Sequence, residues 1–126
     1  MERIQLDNDL NILDKNICFQ GNYKNEKYSI YSPTVFKFNS IYHMFYAAWK
    51  DKFTGNINYA YSKNGIKWTK KYINIFKFKK NVKIISEPFI YINKNNFLLF
   101  FEYQNLNNDW NISFKCLPKT IIRNIK

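Results

Sequence analysis

One offset organises this chain. Pro33 and Pro88 lie 55 residues apart, and the two stretches around them match without a gap. At that offset Ile30 faces Ile85, Val35 faces Ile90 and Phe36 faces Tyr91. Tyr42 faces Phe97, Met44 faces Leu99, Phe45 faces Phe100 and Tyr46 faces Phe101. Further on, Asn56-Ile57-Asn58-Tyr59 faces Asn111-Ile112-Ser113-Phe114, and upstream Leu13 faces Trp68. A chain that repeats its apolar positions at a fixed period builds its core from stacked copies of one supersecondary unit.

Each unit reads as short strands. In the first, Pro33 to Phe38 is one strand, with proline tolerated at its start. Asn39-Ser40 then turns the chain into Ile41 to Trp49. After a loop with Asp51 and Gly55 comes Asn56 to Ser62, and Asn64-Gly65, a strong hairpin signal, leads into a fourth strand from Ile66 to about Ile73. The second unit repeats this from Pro88, Asn96 and Trp110, with Thr120 to Ile125 as its last strand. Asn11 to Phe19 supplies an outer-type strand ahead of both. Aromatic residues make up 20% of the chain, mostly Phe and Tyr, which suits pleated, half-buried surfaces. The expectation is all-β: one partial β-propeller domain over 1–126, with four-stranded antiparallel units at about 30–73 and 85–126. A β-sandwich is the structural alternative.

The residues that carry this pattern also carry a resemblance. Ser32-Pro33-Thr34-Val35-Phe36, Tyr42-His43-Met44-Phe45-Tyr46 and Tyr59-Ala60-Tyr61-Ser62-Lys63-Asn64-Gly65-Ile66-Lys67-Trp68 follow one another in order. This resembles the five-bladed propeller glycoside hydrolases: the arabinanase and β-xylosidase family 43, the invertase family 32, and the mannoside phosphorylases of family 130. The resemblance covers roughly residues 30 to 115. It implies that positions before a blade's proline point into a central pocket, here Ser32 and Glu87. It further implies that a Glu beside a Pro acts as general acid, so Glu87 is the candidate catalytic residue. Ser32 departs from the pattern, where an Asp would supply a base or a second acid.

Glycoside hydrolysis needs two carboxyl groups, ~5–5.5 Å apart for retention or ~6.5–9.5 Å for inversion. The chain has nine acids. Glu2, Asp7, Asp9 and Glu26 lie in polar stretches and are expected in solvent; Asp14 sits in a lysine-flanked strand, and Asp51 and Asp109 in loops. Besides Glu87, Glu102 remains, either lining a ligand site or marking a strand that emerges into solvent. Tyr31, Trp49 and Trp110 at strand ends are the candidate sugar-stacking residues, joining Ser32 and Glu102 as substrate contacts. Trp68 is expected to pack under the Asn64-Gly65 turn instead.

Five such units need roughly 275 residues, and this chain has 126. Two units leave open sheet edges, which invite either copies of the chain or a missing partner chain. The function expected is therefore carbohydrate binding, or a degenerate remnant, without full hydrolase activity alone. An active glycosidase or phosphorylase completed by oligomerisation or a partner is the alternative.

The formal charge of +11 raises a second alternative, a basic nucleic-acid-binding β protein. Its best segment is Lys70 to Lys80, where lysines interleave with aromatics. The lysine, asparagine and isoleucine bias pervades the whole chain, and that places nucleic acid behind carbohydrate. His43, the lone histidine, has no spaced partner for a metal and reads as a packed strand residue. No metal or cofactor is expected. Cys18 and Cys116 read as free thiols, no stretch is long enough to span a membrane, and the cytoplasm is the expected location.

Overall fold

Alternating apolar and polar residues make strands of most of what the computed structural model describes, namely residues 2–6, 12–17, 19–21, 24–71 and 81–123. The chain is all-β. Strands β1 (Glu2–Leu6) and β2 (Ile12–Ile17) pair antiparallel as a sheet of their own. A 3-10 turn at Lys24–Glu26 precedes β3 (Ser29–Phe38), β4 (Ile41–Asp51), β5 (Thr54–Ser62) and the short β6 (Thr69–Lys71). After residues 72–80, which lie outside the described set, come β7 (Val82–Ile92), β8 (Asn96–Asn105) and β9 (Trp110–Pro118), then one helical turn, α1 (Thr120–Arg123).

β3 to β6 form one antiparallel unit and β7 to β9 a second; the two join through a parallel pair, Gly55 with Ile84. Their registers correspond. Thr34 pairs with Phe45 as Phe89 pairs with Phe100, and Phe45 with Tyr59 as Phe100 with Phe114. The units pack face against back. Phe36, Phe45, Ile57 and Tyr59 of the first meet Ile85, Ile90, Phe97, Leu99 and Leu117 of the second in one core. The Phe97 ring lies 5.1 Å from Phe36 and 5.2 Å from Phe38. Thr34 Oγ1 accepts a hydrogen bond from the Ile90 N–H at 3.3 Å, a polar tie across the same seam.

Four local expectations are corrected. Pro33 and Pro88 do not start strands but lie inside β3 and β7, each at an irregularity of the ladder. Proline cannot donate to the ladder, and a bulge is where a strand interior tolerates it. Asn64-Gly65 is not a two-residue hairpin. Asn64 Oδ1 accepts from the N–H groups of both Ile66 and Lys67 at 3.0 Å, which holds residues 63–68 as a loop and delays β6 to Thr69. Within that loop Trp68 does pack as expected, its indole N–H donating to the Gly65 carbonyl at 3.2 Å. Thr120–Arg123 is a helical turn instead of a strand, because Pro118 ends the β9 ladder and Ile122 turns into the core, 2% exposed.

Glu26 is the fourth. Far from being solvated, it is 2% exposed. Its Oε1 accepts from the Tyr46 hydroxyl at 2.6 Å and from Asn58 Nδ2 at 2.9 Å, and its Oε2 forms an ion pair with Lys70 Nζ. The Lys70 ammonium also lies 4.5 Å from the Phe19 ring centre, and Phe19 packs edge-on against Tyr46. Together with Met44, Ala48 and Ala60 these rings close the back of the first unit. Burial alone would raise the Glu26 pKa, but the bonds from Lys70, Tyr46 and Asn58 outweigh it and hold the carboxyl below its ordinary value.

His43 packs within the strand, as expected. Its Nδ1 lies 2.6 Å from the Tyr59 hydroxyl and its Nε2 3.2 Å from the Phe38 carbonyl. Nε2 must therefore carry the proton and donate, leaving Nδ1 to accept from Tyr59. Burial pushes its pKa below 6.5. The unfolded chain then takes up a proton that the folded one refuses, so stability is full at higher pH and falls as pH drops below about 6.5. Urea midpoints on either side of that pH should show the loss, and His43→Gln should flatten it.

Candidate functional site

Two prolines build the site. In β3 the pairing runs from Tyr31–Ala47 to Thr34–Phe45, so Ser32 and Pro33 together oppose Tyr46 alone. In β7 it runs from Ser86–Glu102 to Phe89–Phe100, so Glu87 and Pro88 oppose Phe101. Both are β-bulges, and in both the residue before proline takes a left-handed backbone, φ 49° at Ser32 and φ 49° at Glu87. Such a conformation costs a non-glycine residue about 1–2 kcal/mol. A bulge re-aims the side chain it carries. Here the two re-aimed side chains meet, the Ser32 hydroxyl donating to Glu87 Oε2 at 2.7 Å.

Tyr31 stands beside them. Its ring centre is 6.1 Å from that of Trp49, and its hydroxyl is close to the Ser86 hydroxyl. Burial pushes the Tyr31 pKa up; Ser86 and Trp49 work against this, while the charges of Glu87 and Glu102 add to it. Tyr31 therefore stays a neutral phenol and keeps a proton to donate. Glu102 is half-buried, opposite Ser86 in the β7–β8 ladder. So Ser32, Glu87, Tyr31, Trp49 and Glu102 are brought to one end of β3, β4, β7 and β8. Trp110 is not brought into this group. It opens β9 opposite Gln104 and is 49% exposed, on the side of Ile112 and Phe114.

Trp49 is held by glycine. Gly55 pairs with it across β4–β5, and a Cβ there would lie 2.8 Å from the indole nitrogen and 3.1 Å from Ile84. That nitrogen is buried, and although it influences Tyr31, it reaches no acceptor at hydrogen-bond geometry among the described residues. A buried donor left so costs about 1–3 kcal/mol. Gly55→Ala should push the indole off its seat and cost about 1–3 kcal/mol, read as a lower melting temperature with a shifted tryptophan emission.

Ser86 joins this group, and the sequence reading did not single it out. The signal was present: Ser86 is the counterpart of Tyr31 at the same 55-residue offset that relates Glu87 to Ser32. Of the basic stretch, Lys70 is paired with Glu26, and residues 72–80 lie outside the described set. Among the described residues no three of His, Cys, Asp and Glu lie together as metal ligands, and no helix is long and apolar enough to cross a membrane. Cys116 is exposed and free; Cys18 is outside the described residues.

No family model and no curated protein matches this chain. Solved structures do. A protein described as a glycoside hydrolase superposes with a TM-score of 0.60 at 16% identity, over 70% of this chain and 27% of its own length. The structure of a BT0996 RGII complex matches with the same values. The fold is thus shared with a glycoside hydrolase. The chain spans about a quarter of the length of these structures.

Proposed function

We propose that this chain is a partial β-propeller of the glycoside hydrolase kind that binds a carbohydrate at Ser32, Glu87 and Tyr31. The observation that carries the reading is the Ser32–Glu87 hydrogen bond. Two left-handed bulges at corresponding places in the two units, each with its conformational cost, converge on one another. Backbone strain held in place by surrounding structure concentrates where ligands are gripped. The group offers what a sugar needs: a carboxylate to accept from hydroxyls, a phenol to donate, and an indole face. The shared fold of the solved glycoside hydrolase supports the same direction.

Calorimetric titration with a panel of neutral mono- and oligosaccharides tests it. Binding should weaken by about tenfold or more in Glu87→Gln, which loses a charged acceptor worth ~1.5–3 kcal/mol. No heat from any sugar at millimolar concentration would end the proposal.

One observation favours a second reading, an active glycosidase or phosphorylase. The charges of Glu87 and Glu102 both add to the upward push on the Tyr31 pKa, so a second carboxyl group stands in the same neighbourhood. In that case Glu87 would serve as the general acid. Turnover of an aryl glycoside that vanishes in Glu87→Gln and in Glu102→Gln would favour this over binding alone.

A further inference from the structure

The two units share a register but not a fate. In the first, Phe36, Phe45, Ile57 and Tyr59 form one face, and none is more than 9% exposed, because the back of the second unit covers them. Their counterparts in the second unit are Tyr91, Phe100, Ile112 and Phe114. Nothing among the described residues covers these. Ile112 is 77% exposed, Phe114 58% and Tyr91 54%, and Phe89 on the same side of β7 is 60% exposed. The face is ordered by its own contacts, with the Phe100 and Phe114 rings 5.5 Å apart. Scattered exposed hydrophobics are normal, but a contiguous aromatic face marks an interaction surface.

We propose that this face is covered by the same face of a second copy, giving a two-fold symmetric dimer. Three observations choose that occupant. Head-to-tail stacking would need the back of the first unit, and that surface is already closed by Phe19 and the Glu26–Lys70 pair. A patch that meets itself is the commonest solution for two like chains. The charge of +11 does not oppose it locally, since along the described strands this face carries Glu102 and Gln104 beside its apolar residues and no lysine. The area suffices as well. Five half-exposed large side chains, Phe89, Tyr91, Trp110, Ile112 and Phe114, offer on the order of 600 Å² per copy, taking ~200 Å² for each aromatic. The pair then buries about 1,200 Å², the lower bound of a stable interface. The proposal goes beyond the carbohydrate reading and does not depend on it.

The test is light scattering behind a sizing column, run on the full chain across a concentration series. The expected mass is twice the 15.4 kDa chain, dissociating on dilution. Ile112→Asp and, separately, Phe89→Asp should each weaken the dimer by at least about a hundredfold, because each forces a carboxylate into the seam. Both side chains are more than half exposed, so far-UV circular dichroism should not change. A wild-type chain that stays monomeric up to submillimolar concentration overturns the proposal, and so does a dimer indifferent to both substitutions. A third outcome also overturns it: monomeric protein that binds single-stranded oligonucleotide with steep salt dependence, and loses that binding in Ile112→Asp. The face would then be a base-stacking platform.

Discussion

Glu26→Ala is expected to destabilise the chain by about 3–5 kcal/mol, enough to leave much of it unfolded at ordinary temperature. The carboxylate accepts from Tyr46 and Asn58 and neutralises Lys70, all at the closed back of the first unit. Its removal takes the charge partner from a largely buried ammonium and an acceptor from two donors at once. The size of the effect is a penalty for breaking the pair, not the pair's net worth. Replacing Glu26 and Lys70 together, by Leu and Met, should therefore cost much less than either change alone. Urea unfolding of the four proteins gives the coupling directly. The same carboxyl predicts an acid limb. Because its folded pKa lies below 4.5, its contribution is present above that pH and is lost as pH falls through the folded value. This limb is distinct from the one that His43 produces near 6.5.

Phe97→Ala should cost about 3–5 kcal/mol as well, for a different reason. Phe97 is 0% exposed and packs against the Phe36 ring and edge-on against the Phe38 ring of the other unit, so its deletion opens a cavity in the seam between the two. Thermal unfolding should remain one transition, shifted downward, because Ile85, Leu99 and Leu117 still bridge the units. Two separate transitions in the variant would mean that the units fold independently and that the seam contributes little.

The candidate site was partly legible, and a local rule accounts for its geometry. Proline inside a strand removes a ladder donor and calls for a bulge, so the residue before it is turned out of the pleat. Ser32 and Glu87 were reached from the sequence by another route, the resemblance to propeller hydrolases, with Pro33 and Pro88 expected at strand starts; the bulges that re-aim the two side chains came from the structure. Tyr31 was chosen, with Trp49 and Trp110, as an aromatic at a strand end, and Ser86 could have been found as its counterpart. The same criterion chose Trp110, which the structure places on the side of Ile112 and Phe114, away from the other two. A strand end says where a side chain lies along the ladder, whereas the face it occupies follows from register.

Sequence alone determined the all-β class and the Asn39-Ser40 turn, whose two left-handed residues, φ 50° and φ 64°, match the twist of β3 and β4. It also determined which side chains correspond between the two units. These are properties of neighbours along the chain. Only the tertiary structure decided the burial of Glu26, whose partners lie 20, 32 and 44 residues away. The same holds for the contrast between Tyr59 and Phe114, matched in position and in pairing, one 2% and the other 58% exposed. A side chain's pattern says which way it faces; whether that face is dry depends on what packs against it, and packing is a property of the whole assembly.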